Sequence, residues 1–425
     1  MKILWFLASF SAHGRSIFSQ EKALSGSGNW IDDEAECLLH DENISELIQM
    51  SSCGTKWATQ NRGRITFIDL GLGELNSLNS SKRIAATNAI KGAIFAVSPD
   101  IVQVWGTENP VSLIAVQCGK ELGIPVILCP QGLVSSLLHF PNGHVSSREM
   151  CGGNIFNWLK MPLFNKTKRI YQSNVSHETQ AIKLADYILS DNQWTFDYCR
   201  CVNPSFCPLW YPLPVNECFT EIQWSKGECS PHTIMSVSPR SSYKGQHILL
   251  KAVGRLKNYY GDIRVLFPAM ENKMADTIES RIKRTPYNSM LRRLINEQGL
   301  AENVVFLSRL SPKELASVMC QCNVFVNPSV IESNCMSLRE AMWMGMPVIS
   351  AFAGSIQEYL VHDVNGILYR YEEDEILACE LDRLFSSFDK CVRLGASARS
   401  SMKELYSNGV GLVDLYKTVI NSFAN

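Results

Sequence analysis

Short apolar runs alternate with amphipathic helical patterns through the second half of the 425-residue chain. Periodic apolar positions predict helices at residues 246–258, 287–298, 312–320 and 337–344. Unbroken apolar runs predict strands at 233–238, 263–267, 303–307, 323–327 and 347–350. Strands that are apolar on both faces and separated by helices indicate a parallel sheet covered on both sides. This half is therefore predicted to be a doubly wound α/β domain.

The first half shows the same alternation with longer interruptions. Strands are predicted at residues 2–8, 64–68, 101–105, 126–129 and 186–190, and helices at 82–97 and 110–122. Residues 133–168 show no clear period and are predicted to be a long loop. Prolines 204, 208, 212 and 214 disfavour regular structure there and indicate a domain boundary. We therefore expect two doubly wound Rossmann-like domains, at 1–212 and 213–408, facing a central cleft in which ligands bind beyond the strand ends.

Composition narrows the class of protein. With 46% hydrophobic and 19% charged residues, the chain is neither disordered nor fibrous. The formal net charge of -1 excludes charge-driven binding to nucleic acid. Fifteen cysteines are scattered without zinc-ligand spacing, so we expect reduced thiols in a cytoplasmic protein and no metal site. The apolar residues after Met1 are predicted to be a buried strand rather than a signal peptide.

Candidate chemistry concentrates in residues 327–348. A predicted strand ends at Asn327, a polar loop carries Glu332, and a predicted helix starts near Ser337. The free N–H groups at a helix start can bind phosphate. The spacing of Ser337 and Glu340 equally fits a capping box, in which Glu340 only folds back on the helix start. Both interpretations remain open from the residues alone.

Several motifs in order resemble those of a known family. Glu332 and Glu340 stand eight residues apart, after Pro328-Ser329 and before Gly345 and Pro347-Val348. Further matches are Lys244-Gly245, Gly354, Glu358 and Gly366. This pattern resembles the family 4 (group 1) retaining glycosyltransferases, which have the two-domain GT-B fold, and it is strongest over residues 233–385. The resemblance implies that a last helix, at 409–425, crosses back to the N-terminal domain.

The resemblance also implies the site residues. Catalytic roles would fall to Glu332, beside the donor sugar, and to Lys244 and Arg240, which would hold the diphosphate of a nucleotide sugar. Glu340 would bind the ribose. Donor contacts would also come from the backbone of Asn334, Cys335, Met336 and Ser337, and from Gly28 in a glycine-containing loop, which an ordinary turn explains equally well. With these cations, neither a metal nor a cofactor is required.

One departure from the family concerns the acceptor side. Many members have His-Gly where this chain has Gln131-Gly132. A glutamine cannot act as a base, so Gln131 is expected to hydrogen-bond the sugar or the acceptor. His139 and His144 are possible substitutes for the histidine, although solvated loop histidines would look the same.

The sequence leaves three functions open. The first is transfer of a hexose, with retention, to a saccharide or lipid-linked saccharide in bacterial surface polysaccharide synthesis. A sugar-nucleotide epimerase or hydrolase and a catalytically silent binding protein are the alternatives. A dehydrogenase is disfavoured because no G-x-G-x-x-G motif follows either first strand. Lys160, Lys166, Lys168 and Arg169 interleave with apolar residues, which indicates either peripheral contact with the inner membrane or a solvated face.

Overall fold

The computed structural model describes residues 1–18, 30–52, 54–73, 80–237, 241–275, 277–407 and 409–423. Contacts along the chain divide it into two units. The first consists of Met1–Leu138, Arg169–Pro214 and Asn408–Asn425, and the second of His139–Lys168 and Val215–Ser407. Residues 139–168 thus belong to the second unit, although they fall within the predicted first domain, 1–212.

The first unit is built on an eight-stranded sheet in the order β3-β4-β2-β1-β5-β6-β7-β8. All neighbours are parallel except β3 and β4. The strands are β1 (Lys2–Leu7), β2 (Glu46–Ser51), β3 (Ala58–Arg62), β4 (Ile65–Asp69), β5 (Ile101–Trp105), β6 (Val126–Cys129), β7 (Tyr187–Ser190) and β8 (Cys207–Trp210). Strands β2 to β4 lie on one side of β1 and strands β5 to β8 on the other, so the strand order reverses between β1 and β5.

The second unit is built on a six-stranded parallel sheet in the order β11-β10-β9-β12-β13-β14. Its strands are β9 (Thr233–Ser236), β10 (Arg264–Phe267), β11 (Val304–Phe306), β12 (Val324–Asn327), β13 (Val348–Ala351) and β14 (Ile367–Tyr369). Numbered within the unit, this is the 3-2-1-4-5-6 order of dinucleotide-binding folds, with the reversal between β9 and β12. Such folds bind ligands at the carboxyl ends of the strands flanking the reversal.

Helices cover both sheets. They are α1 (Ala12–Phe18), α2 (Trp30–Leu39), α3 (Ser80–Val97), α4 (Pro110–Glu121), α5 (Val134–Leu137), α6 (Ser147–Cys151), α7 (Ile155–Leu184), α8 (Gln193–Arg200), α9 (Glu217–Glu221), α10 (Gln246–Leu256), α11 (Glu271–Met274), α12 (Ile278–Lys283), α13 (Pro286–Glu297), α14 (Pro312–Cys320), α15 (Met336–Trp343), α16 (Asp374–Phe385), α17 (Phe388–Ser407) and α18 (Leu412–Phe423). In the described ranges, no helix is both long enough and apolar enough to cross a membrane.

The last helix, α18, packs on the core of the first unit. The buried Tyr416 hydroxyl accepts a hydrogen bond from Trp5 Nε1 at 2.9 Å and donates to Gln103 Oε1. Because Trp5 lies on β1 and Gln103 on β5, this contact ties the helix to the two central strands.

Two sequence predictions fail in this fold. The segment at 133–168, predicted to be a loop, contains α5, α6 and the start of the 30-residue helix α7. The proline-rich stretch after residue 204, predicted to be irregular, contains strand β8. Pro208 is tolerated in β8 because that strand lies at the edge of its sheet, where a missing N–H leaves no neighbour unpaired.

Candidate functional site

Two loops meet where the strand order of the second unit reverses. They follow the neighbouring parallel strands β9 and β12. The Val330 amide donates to the Tyr243 carbonyl at 2.9 Å and joins the loops. Gly245 has φ of 70°, and a Cβ there would lie 1.9 Å from the Pro328 carbonyl oxygen. Only glycine allows this approach, which explains the glycine after Lys244.

A buried polar layer fixes the strand ends beneath these loops. Ser236 Oγ, at the end of β9, donates to the Val326 carbonyl at 2.7 Å. Asn327 Nδ2, at the end of β12, donates to Ser350 Oγ at 3.1 Å, and Ser329 Oγ donates to Asn327 Oδ1 at 2.8 Å. Because buried polar groups are costly when unpaired, these bonds hold the loops in one arrangement.

An ion pair lies at the junction. Lys244 Nζ is 2.7 Å from Glu332 Oε1, with side chains 27% and 7% exposed. Burial by itself lowers the pKa of the Lys244 ammonium, but the Glu332 carboxylate outweighs it, so the pKa lies above its ordinary value. Lys244 therefore keeps its charge at neutral pH and still reaches solvent.

The backbone of Glu332 is held from a third loop, which follows β13. Ser355 N donates to the Glu332 carbonyl at 3.0 Å, and Ser355 Oγ donates to the Ser333 carbonyl at 2.6 Å. Gly354 has φ of 54°, and a Cβ there would lie 1.9 Å from the Glu332 carbonyl oxygen. Gly354 belongs to the sequence motif, whereas Ser355 was not predicted, and its only sequence signal is its place directly after that glycine.

Helix α15 begins one residue before the expected Ser337. Its N-cap is the buried Cys335, which makes no side-chain capping bond, and the Cys335 carbonyl accepts from Leu338 N and Arg339 N, each at 3.1 Å. Ser337 is thus the second residue inside the helix. The capping-box interpretation of Ser337 and Glu340 is wrong, because a capping serine must precede the first helical residue.

The neighbours of Glu340 show how the helix is oriented. Arg339 is completely buried, with its guanidinium 4.8 Å from the centre of the Tyr359 ring. Glu340 is only partly buried. The helix therefore directs Arg339 into the unit and leaves Glu340 accessible.

The structure brings most predicted donor residues together. Lys244 contacts Glu332, and Asn334, Cys335, Met336, Ser337 and Glu340 follow in the same loop and helix. Burial, with a smaller contribution from Glu332, raises the pKa of the Cys335 thiol, which stays neutral. Arg240 and Gly28 lie outside the described residues.

The acceptor-side candidates are divided between the two units. Gln131 is exposed in the loop after β6 of the first unit. His144 belongs to the second unit, where its Nδ1 lies 3.1 Å from Glu372 Oε1. In the same segment Gly143 packs on the Lys244 loop, since a Cβ there would lie 2.4 Å from the Ser242 carbonyl oxygen. His144 is therefore engaged beside that loop.

The sequence of the second unit matches a known family. Residues 220–401 match the model of the family described as Glycosyl transferases group 1. The chain carries a glycosyl transferases group 1 domain. The match covers the whole six-stranded sheet and includes Lys244, Glu332 and Glu340.

Individual relatives agree with this assignment. The chain is 32% identical over 108 residues to D-inositol 3-phosphate glycosyltransferase of Stackebrandtia nassauensis, a region that spans 25% of this chain and 24% of that protein. Among solved structures, sucrose-phosphate synthase of Thermosynechococcus elongatus gives a TM-score of 0.71 at 14% identity, over 99% of this chain and 100% of that one. Anabaena HepE in complex with UDP-glucose gives 0.63 at 14% identity, over 100% and 99%. These likenesses establish the GT-B fold, with two Rossmann-like domains, of which the group 1 domain is the second.

Proposed function

We propose that this chain is a glycosyltransferase that moves a hexose from a nucleoside diphosphate sugar to a hydroxyl of a saccharide or lipid-linked saccharide. The observation that carries the proposal is the accessible Lys244 ammonium, paired with Glu332 beside the start of α15 in a group 1 domain. A cation and a helix start, both at the strand-order reversal, suit a diphosphate.

The proposed chemistry follows from these charges. On donor binding, Lys244 exchanges its contact with Glu332 for one with a phosphate oxygen, and the Glu332 carboxylate becomes available to a sugar hydroxyl. Negative charge grows on the leaving diphosphate as its bond to the anomeric carbon breaks. Lys244 and the N–H groups of Met336 and Ser337 stabilise this charge more than that of the ground state, which lowers the barrier. Glu340 accepts hydrogen bonds from the ribose.

Retention belongs to the proposal through the family resemblance. The acceptor oxygen then attacks from the face that the diphosphate leaves, and the departing phosphate oxygen takes the acceptor proton. We further propose a cytoplasmic enzyme that works without metal or cofactor, in surface polysaccharide synthesis. Support for a nucleotide-sugar donor comes from the likeness to HepE, which binds UDP-glucose in its solved complex.

We also propose peripheral contact with the inner membrane, through an apolar face at the start of α7. Phe156, Leu159 and Leu163 are 69%, 70% and 73% exposed. Lys160 lies among them and donates through Nζ to the Arg284 carbonyl at 3.1 Å, just beyond α12. Helix α12 adds Ile278 and Ile282, which are 79% and 68% exposed. Apolar side chains interspersed with cations favour the surface of an anionic membrane.

Vesicle sedimentation tests the membrane contact. We expect the protein to bind vesicles of phosphatidylglycerol and phosphatidylcholine more strongly than vesicles of phosphatidylcholine alone. Leu159→Asp should weaken that binding. The control is Ile376→Asp, at an exposed apolar residue of α16, which should bind as the unchanged protein does. Equal binding by both variants and the unchanged protein would count against the contact.

Product analysis distinguishes the proposed function from its alternatives. A panel of nucleotide sugars, chosen by thermal shift, is incubated with and without octyl glycosides of glucose, galactose and mannose. Transfer requires a new glycoside, with nucleoside diphosphate released only when an acceptor is present. Release without acceptor favours a hydrolase, interconversion of the sugar favours an epimerase, and binding without turnover favours a silent binding protein.

A further inference from the structure

The first unit has its own strand-order reversal, between β1 and β5. Glu108 follows the end of β5, and Gln131 follows the end of its parallel neighbour β6. Their loops thus leave the sheet at the same carboxyl edge. This edge is where doubly wound sheets bind ligands.

Two glycines lie beside the Glu108 carboxyl group, and Gly106 makes room for it. Gly106 has φ of 86°, and a Cβ there would lie 2.3 Å from Glu108 Oε2. A Cβ on Gly132 would lie 3.7 Å from Glu108 Oε1. The carboxyl group therefore lies between the β5 loop and the Gln131-Gly132 loop. It is close to Gly132, and Gln131 directly precedes that glycine in the chain.

A second carboxylate, Glu178 on α7, holds these loops. It is buried and accepts hydrogen bonds from Val134 N at 2.7 Å, Ser135 N at 3.0 Å and Thr107 Oγ1 at 2.8 Å. Ser135 Oγ also donates to it, and with these four hydrogen bonds Glu178 is a positioning residue with little capacity left for a ligand. Asn174 Nδ2 donates to the Glu108 carbonyl at 2.8 Å and fixes its backbone.

The surroundings also tune the charge of Glu108. Burial raises the pKa of its carboxyl group to about 7, with the Glu178 charge adding to the rise and nearby backbone N–H groups opposing it. Cys129 at the end of β6 also experiences this charge, but burial raises the pKa of its thiol so that it stays neutral. Glu178 is thus the charged neighbour that acts on Glu108.

We infer that Glu108 is a specificity residue of the proposed glycosyltransferase, and that its carboxylate accepts a hydrogen bond from a hydroxyl of the saccharide acceptor beside Gln131. This inference rests on the proposed function and identifies an acceptor contact for it. A polyol is the ligand class that fits, since a hydroxyl donates to the carboxylate of Glu108 and both donates to and accepts from the amide of Gln131.

The pH dependence of acceptor KM tests the inference, with the octyl glycoside that the wild-type protein uses best as the probe. The carboxylate form binds a hydroxyl more strongly than the neutral form, so KM should fall about tenfold between pH 6 and pH 8. Glu108→Gln mimics the neutral form and should keep the high KM throughout, with no break near pH 7. Donor KM should be unchanged, and Gln131→Ala should raise acceptor KM but retain the break.

Controls make each outcome decisive. Glu42→Gln, at an exposed carboxyl of the first unit, should behave as the wild type. A wild-type midpoint in urea unfolding verifies that Glu108→Gln is folded. A Glu108→Gln variant with the wild-type acceptor KM and pH profile overturns the inference alone. Failure of the wild-type protein to glycosylate any probe contradicts the proposed function, and the inference falls with it.

Discussion

Lys244 Nζ and Glu332 Oε1 lie 2.7 Å apart, and the two residues come from loops that follow neighbouring parallel strands. The Lys244 end is partly exposed and the Glu332 end is buried. This asymmetry allows an incoming anion to reach the ammonium without breaking the buried structure behind it. In the proposed enzyme, the carboxylate holds the lysine in place until a diphosphate replaces it.

Lys244→Ala should lower the affinity for UDP and GDP at least tenfold. A hydrogen bond to a charged group contributes about 1.5–3 kcal/mol, and about 1.4 kcal/mol is a factor of ten in Kd. Titration calorimetry measures the change. Lys313→Ala, at an exposed lysine of α14, is the matched control and should bind as the wild type does. Equal affinity of all three proteins would place the diphosphate elsewhere.

Ser337→Ala and Glu340→Ala should have different effects on stability and on nucleotide binding. Since Ser337 is inside α15 rather than at its N-cap, its loss should change the free energy of unfolding by less than about 0.5 kcal/mol, whereas a lost capping residue costs about 1 kcal/mol. Glu340→Ala should weaken nucleotide binding, because the ribose loses its acceptor. Urea unfolding and nucleotide titration of both variants check this. If Ser337→Ala is destabilised and Glu340→Ala binds nucleotide normally, the capping-box interpretation of these two residues would be correct after all.

The second unit was the more predictable from sequence, for a physical reason. Its strands β9, β12 and β13 are buried throughout and its helices carry one apolar face. Accordingly, β12 and α14 appear at the predicted residues within one position. The candidate donor residues Glu332 and Glu340 could be picked out from sequence because they lie close together in the chain, on one loop and helix. The pairing of Glu332 with Lys244 required the strand order, which no local pattern contains.

The first half of the chain shows where sequence patterns fail. Strand β2 was not predicted, because its sequence Glu46–Ser51 includes Gln49, a polar residue that the sheet nevertheless buries. Helix α7 was missed because Pro162 lies within it and its first turns expose apolar side chains instead of packing them. Glu108 escaped notice because its significance depends on Gly132, which is distant in sequence and adjacent only across β5 and β6.

Gly245→Ala should destabilise the second unit. The new Cβ would meet the Pro328 carbonyl oxygen at 1.9 Å, and a φ of 70° is itself unfavourable for alanine. We expect a loss of more than about 2 kcal/mol in the free energy of unfolding. Gly261→Ala, where a Cβ meets nothing within 4 Å, is the control and should stay close to the wild type. Urea unfolding measures both, and equal stability of the two variants would contradict the close loop contact.

Glu34→Gln should remove part of the pH dependence of stability. Glu34, on α2, is buried and accepts a hydrogen bond from the Tyr211 hydroxyl at 2.6 Å. Burial raises the pKa of its carboxyl group from 4.5 to about 7, with the Tyr211 hydrogen bond opposing the rise. Between these values the folded chain binds the proton more tightly than the unfolded chain does. The contribution of Glu34 to stability is therefore present below pH 4.5 and is lost as the pH rises to 7.

This loss amounts to about 3 kcal/mol, since one pKa unit corresponds to about 1.4 kcal/mol. Glutamine accepts the Tyr211 hydrogen bond without a charge, so Glu34→Gln should be more stable than the wild type at pH 8, with the difference shrinking towards pH 5. Urea unfolding at both pH values measures it, and Glu42→Gln, at an exposed carboxyl group, should follow the wild type. A difference that is the same at pH 5 and pH 8 would show that Glu34 is ionised throughout, with its burial offset by interactions other than the Tyr211 hydrogen bond.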